Sequence, residues 1–193
     1  MREIRIVFIE EATPMANMSI VGKRNKANGA LFEAWISASC DHYSETGIAF
    51  MEKTPEPFHI TSRGKDGVVS GYYEKSAQPD YKGILKGGKG VMFEAKHTDC
   101  GMIKQGAVTE TQSRNLDMYH ELGAICFVLV SMGFESFHRV PWPVWKGMKE
   151  IFGHKHMTLD EIGPYRVKSY IGMIDFLDGI EAMDEKWKHV DGD

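Results

Sequence analysis

Two acids and a lysine set the chemical question. Pro79-Asp80 is followed, after thirteen residues, by Glu94-Ala95-Lys96. In an extended strand, residues i and i+2 face the same way, so Glu94 and Lys96 emerge side by side while Ala95 points away. Between the acids lies Gly83-Ile84-Leu85-Lys86-Gly87-Gly88-Lys89-Gly90, a stretch suited to a hairpin turn. If Asp80–Leu85 pairs with Val91–Lys96, Asp80 lies close to Glu94. Two carboxylates in one small site repel unless a cation neutralises them. Hard oxygen donors favour Mg²⁺, with Mn²⁺ as a substitute, and Mg²⁺ keeps waters and binds phosphate oxygens as well. A lysine beside such a metal can orient attacking water and balance charge on a phosphorane-like transition state. The three residues therefore read as a metal-dependent phosphodiesterase centre, with Asp80 and Glu94 as the metal ligands. The alternative is an exposed strand pair, Glu94 with Lys96, and a turn residue at Asp80. Against it, Val91 and Phe93 mark a core strand, and a third acid, Glu33, sits on an amphipathic helix behind a basic segment.

The elements that must carry these side chains can be read from pattern. Leu31, Trp35 and Ala38, at i, i+4 and i+7, predict a helix from Ala30 to about Cys40 with Asn28 as its N-cap. Pro55, Pro57 and several glycines break residues 41–90 into short pieces, with strands predicted at Ile48–Glu52, Phe58–Thr61 and Val68–Glu74. The catalytic strand is Val91–Lys96. A helix from about Glu110 to Leu122 closes at Gly123. Ile125–Val130 reads as a strand buried on both faces, and a further strand at Glu135–Val140 ends at Pro141. Short helices are predicted at Val144–Phe152 and Tyr170–Met183, and Thr158-Leu159-Asp160-Glu161 has capping-box spacing. This order predicts an α/β fold, a central mixed sheet flanked by helices. The length suits one domain, 23–193, behind an N-terminal extension over residues 1–22 that contains Met1, Met15 and Met18.

The run Pro-Asp-x13-Glu-x-Lys is similar to the PD-(D/E)XK nuclease motif. More narrowly, the chain resembles the RecU family of Holliday-junction resolvases. The pieces that carry the resemblance are Asn28-Gly29-Ala30-Leu31-Phe32-Glu33, Lys53-Thr54-Pro55-Glu56-Pro57, Pro79-Asp80-Tyr81-Lys82-Gly83, Phe93-Glu94-Ala95-Lys96, Gln112 at a helix start, and Cys126-Phe127-Val128-Leu129-Val130. They run in family order over roughly residues 22–180. The resemblance implies a restriction-endonuclease-like core and a homodimer that cuts four-way DNA junctions by paired nicks, with Mg²⁺ held by Asp80 and Glu94. It implies that Glu33 and Gln112 support the site and that Lys96 acts on the nucleophile. It also implies a protruding stalk over about Lys53–Ser76, recombination proteins as further partners, and a setting in the bacterial cytoplasm; a phage-encoded or otherwise diverged member would fit. The chain departs from the family at Pro79, where a threonine is usual, and in a short stalk segment carrying Gly64, Gly67 and Gly71.

The remaining features set bounds. The formal net charge is −4, but residues 175–193 hold seven acids against two bases, −5, which leaves +1 for residues 1–174. DNA binding needs a local basic face and not a basic total. Lys23, Arg24 and Lys26 could form an arm contacting phosphates, as could Arg63 and Lys65 at the stalk tip, or either group could be solvated surface. Three unpaired cysteines, Cys40, Cys100 and Cys126, read as reduced thiols of an intracellular protein. No stretch is apolar enough for a membrane span. His154 and His156 lack a third ligand and read as a surface loop, Trp142 and Trp145 as packing aromatics, and His97 as structural. Three functions stay open: a junction-resolving endonuclease, a linear-duplex or restriction-type nuclease, and a catalytically idle DNA-binding regulator. Intact Asp80, Glu94 and Lys96 argue against the last.

Overall fold

The structure, a computed structural model, describes residues 20–55, 58–64, 66–73 and 78–181, with side chains throughout except at residues 20–23, 58 and 73. In chain order the elements are α1 (Ile20–Glu45), β1 (Ala49–Lys53), β2 (Phe58–Arg63), β3 (Val69–Tyr73), β4 (Tyr81–Leu85), β5 (Gly90–Thr98), β6 (Met102–Lys104), α2 (Glu110–Glu121), β7 (Ile125–Met132) and β8 (Ser136–Pro141). There follow α3 (Trp142–Lys146), α4 (Met148–Phe152), β9 (His156–Thr158), α5 (Leu159–Ile162), β10 (Arg166–Tyr170) and β11 (Met173–Asp175). The described residues fall into two compact units: 26–54 with 78–181, and those of 55–73 grouped with 20–25.

The larger unit is built on a seven-stranded sheet in the order β1-β4-β5-β7-β8-β10-β11. All its pairs are antiparallel except β5 with β7. It is the expected mixed sheet flanked by helices. The parallel pair requires a crossover, and α2 lies within it. β7 is buried at every position, as its unbroken apolar run demands. One face of the sheet packs α1, through Phe32, Ile36 and Tyr43, onto Tyr81, Phe93, Phe127 and Phe137. The other packs α2 to α5 against Cys126, Val128 and Val130, around Leu116, Trp142 and Trp145. The smaller unit contains the antiparallel β2–β3 hairpin, irregular between Ile60 and Ser62. His59 stacks on Tyr72 there, and the Thr61 hydroxyl donates to the Ser70 carbonyl at 3.1 Å.

Three expectations need correction. The first helix begins by Ile20 and not after Asn28, so Lys23, Arg24 and Lys26 lie on a helix; Asn28 sits inside it and spends its side chain on Asp99 (3.2 Å) instead of capping. Its buried stripe is Phe32, Ile36, Cys40 and Tyr43, with Leu31 outside. Over residues 170–179 the predicted helix at Tyr170–Met183 is instead the β10–β11 hairpin, turned at Gly172 (φ 83°), followed by an irregular strap; Ile180 and Glu181 are helical, and residues 182 and 183 lie outside the described residues. Ser39, Tyr43 and Arg139 hold that strap: Ile174 N–H donates to Ser39 Oγ (2.8 Å), Leu177 N–H to the Tyr43 hydroxyl (3.1 Å), and Arg139 Nη1 to the Phe176 carbonyl (2.7 Å). Finally, the helix at Val144–Phe152 is two short ones meeting at Gly147.

Residues 1–19 and 182–193, and with them most of the N-terminal extension and the distal acidic segment, lie outside the described residues. The near part of the acidic segment is core, since Phe176, Leu177 and Ile180 are buried. Among the described residues, the three cysteines are free thiols, and no helix is long and apolar enough to cross a membrane.

Candidate active site

The β4–β5 hairpin delivers the expected pairing. Tyr81 opposes Phe93 in the antiparallel register, which sets Asp80 across from Glu94. An aromatic ladder locks that register from behind: Tyr81 stacks on Phe93 and Phe93 on Phe127, both with ring centroids 4.8 Å apart. A slip by one residue would send this ladder to the wrong face of the sheet. Asp80 is then fixed by the neighbouring strands. Its Oδ2 accepts from Ala95 N–H at 3.0 Å, and its carbonyl accepts from Thr54 N–H at 2.9 Å.

Glu94 and Lys96 leave β5 on the face covered by α2. A crossover helix starts near the carboxyl end of the strand before it, where α/β folds place their ligands. That brings Gln112, in the first turn of α2, onto the pair. Gln112 Nε2 donates to Glu94 Oε2, and Lys96 Nζ donates to the same oxygen at 3.1 Å. Lys96 Nζ also stands 3.7 Å from Asp80 Oδ2 and 3.5 Å from Gln112 Oε1. Four of the five expected catalytic residues thus form one cluster. Glu33 stands apart, ion-paired to Lys53 Nζ at 2.7 Å.

Glu94 has no solvent exposure. Burial above all, and then the Asp80 carboxylate beside it, push its carboxyl up to about 8, against the opposing pull of Lys96. Its second oxygen, Oε1, is buried with no hydrogen-bond partner. A buried acceptor without a donor is unfavourable, and an ionised one more so. A divalent cation would relieve both conditions, so Asp80 and Glu94 fit a metal as its protein ligands. The described residues offer no cluster of three or more His, Cys, Asp or Glu that could hold one. A cation here would fill its shell with water and phosphate oxygens, as magnesium commonly does.

Of the expected phosphate-contacting residues, Arg24 and Lys26 are exposed on α1 and Arg63 is exposed at the end of β2. The side chains of Lys23 and Lys65 lie outside the described residues. Trp142 and Trp145 are core residues, with Trp142 Nε1 donating to Asp117 on α2 at 2.8 Å. His154 stacks on His156 and pairs with Glu161 at 3.2 Å. His97 lies between Ser131 Oγ (3.0 Å) and Asp99 (3.1 Å) and joins no metal set. One residue was overlooked at the sequence level. Thr109 caps α2 and grips the Gln112 side chain, and its capping-box spacing, Thr-x-x-Gln, was the available signal.

A family model described as "Recombination protein U" matches residues 27–182. The chain is 27% identical over 178 residues to the Holliday junction resolvase RecU of Bacillus pumilus (strain SAFR-032), covering 85% of each chain. To the Holliday junction resolvase RecU of Streptococcus uberis it is 29% identical over 171 residues, covering 79% of this chain and 81% of the relative. Among solved structures, Hjc, a Holliday junction resolvase of Archaeoglobus fulgidus, aligns with a TM-score of 0.45 and 12% identity, over 70% of this chain and 93% of its own.

Proposed function

Because the chain belongs to the Recombination protein U family, we propose that it is a metal-dependent endonuclease that resolves four-way DNA junctions by paired phosphodiester hydrolysis. The observation that carries the reading is the Asp80–Glu94–Lys96–Gln112 cluster, with a buried, unpartnered Glu94 oxygen beside a second carboxylate. Asp80 and Glu94 would hold the cation, Mg²⁺ in the cell with Mn²⁺ as a substitute. When bound, it supplies a Lewis acid for the scissile phosphate and a lowered pKa for water. The protein's own groups do the rest. Lys96 Nζ, held between Asp80 and Glu94, presents an ammonium to the attacking water and to charge developing on phosphorus. Gln112 holds the Glu94 carboxylate in one orientation. Glu33, paired with Lys53, supports the Asp80 side of the site at one remove.

Phosphate contacts would come from Lys23, Arg24 and Lys26 on the N-terminal segment and from Arg63 and Lys65 on the hairpin. A four-way junction has approximate twofold symmetry, so an isologous homodimer is the simplest way to place paired nicks. The hairpin would serve as the junction-contacting stalk.

Incubating the protein with a mobile four-way junction, a nicked duplex and a linear duplex in Mg²⁺ should give symmetric nicks in the junction alone. Asp80→Asn or Glu94→Gln should abolish cutting yet bind the junction nearly as the parent does, because affinity rests mostly on phosphate contacts elsewhere. Wild-type cutting by either variant would remove these residues from the site. Arg63→Ala should weaken binding to the junction more than to linear duplex; equal losses would favour a linear-duplex nuclease.

A further inference from the structure

Gln112 is the third residue of α2 and Thr109 its N-cap, and together they form a reciprocal capping box. Gln112 N–H donates to Thr109 Oγ1 at 3.3 Å. In return Gln112 Oε1 accepts from Thr109 N–H at 3.0 Å and from the Thr109 hydroxyl at 3.1 Å. A backbone N–H can only donate, so the amide oxygen must face Thr109 and the amide nitrogen must face away from it. What it faces is Glu94 Oε2. The cap therefore decides which end of the amide meets the carboxylate.

The same chain contains a second box that shows what a cap alone needs. At α5, Thr158 N–H donates to Glu161 Oε2 at 2.8 Å, and a glutamate fills the third position. Glutamate and glutamine serve a capping box equally. At position 112 a glutamate would turn a second oxygen toward Glu94, whereas glutamine caps with one end and donates with the other. The consequence reaches the carboxylate. Glu94 Oε2 is held by two nitrogens, those of Gln112 and Lys96, while Oε1 is left buried and without a donor.

We infer that Thr109 is a positioning residue of the nuclease centre, fixing the Gln112 amide so that Glu94 turns one oxygen to nitrogen donors and keeps the other for a divalent cation. This rests on the reading of Asp80 and Glu94 as cation ligands. Thr109 touches neither substrate nor cation; it acts through Gln112. Outer partners of metal ligands commonly change metal affinity about 10–100-fold when removed.

The backbone at Thr109 permits a graded test. Its φ of −69° suits proline, and Val108 before it is extended (φ −93°, ψ 121°), as a residue preceding proline should be. Thr109→Pro removes both donors to Gln112 Oε1, Thr109→Val removes the hydroxyl alone, and Thr109→Ser keeps both. Mn²⁺ binding to the full chain without DNA, followed by titration calorimetry, gives a readout independent of turnover. Thermal melts in chelator identify any variant that fails to fold, in which case the valine and serine variants decide. The expected order is serine within about twofold of the parent, valine weaker, and proline weaker by about tenfold or more. Thr158→Val, which breaks the α5 box, should bind Mn²⁺ as the parent does. Parental affinity in Thr109→Pro, with Asp80→Asn unable to bind, would overturn the inference alone. Parental binding by Asp80→Asn would overturn the ligand reading and the inference with it.

Discussion

The position of one proton on Glu94 links the stability of this protein to its chemistry. A carboxyl raised to about 8 in the fold, against an ordinary value of 4.5, binds its proton more tightly in the native chain than in the unfolded one. Between those two values the native state carries the extra proton, so stability falls as pH rises from about 5 to 8 and levels off above. The steepest slope is about 1.4 kcal/mol per pH unit. Melts in chelator should show a falling Tm over that window, and Glu94→Gln, which has no proton to lose, should flatten the profile and exceed the parent's Tm at pH 8. On the proposed function a cation would compete with the proton for the same carboxylate, so Mn²⁺ affinity should rise up to about tenfold per pH unit below pH 8. A chelator profile that is flat in the parent would show that Glu94 is ionised throughout. At this scale Asp80, Glu94 and Lys96 were legible from residue type and spacing and Gln112 from the family resemblance, and the fold brings the four side chains together. The pKa of Glu94 was not legible, because it depends first on burial that only the folded chain supplies.

Among the elements, β1 and β4 lie unusually close at Gly83. A Cβ built there would stand 2.1 Å from the Phe50 carbonyl oxygen and 2.8 Å from the Met51 Cα, both backbone atoms that cannot turn aside. Gly83→Ala must therefore push β1 away, straining the ladder and the Thr54–Asp80 bond at its end. The expected cost is about 1–3 kcal/mol in urea unfolding, accompanied by weaker cation binding. Gly90→Ala, whose Cβ would meet Ala124 at an ordinary 3.5 Å, should cost clearly less, and equal costs would refute the close-approach argument. The strands were legible because local alternation and buried runs make them. Two helices misled for reasons beyond local pattern. Asn28-Gly29 has the look of a helix start, yet α1 runs through it because Asn28 finds Asp99, seventy-one residues away. Ile171, Ile174, Leu177 and Ile180 recur at near-helical spacing, yet Gly172 and Gly179 take positive φ, and the backbone between them bonds to side chains of α1 and β8.

For the molecule as a whole, that strap closes the core on the α1 side. Arg139 is buried in β8 and spends one nitrogen on the carbonyls of Phe176 (2.7 Å) and Asp178 (2.9 Å). Arg139→Met keeps most of the volume but removes the donors for both carbonyls. It should destabilise by about 2–4 kcal/mol, seen as a lower urea midpoint with an unchanged slope. A variant as stable as the parent would mean that packing of Phe176 and Ile180 alone secures the strap. The strap also bears on the order of synthesis. Translation produces residues 78–98, with the carboxylates of Asp80 and Glu94, long before residues 174–180. Yet Phe176 packs against Phe93 and Phe127, the aromatics directly behind the carboxylates. A ribosome that has made Asp80, Glu94, Lys96 and Gln112 therefore carries an unfinished nuclease. Strand β5 gains the packing of Phe176 only when residues 174–180 emerge, so the aromatic layer behind Asp80 and Glu94 is completed late in synthesis.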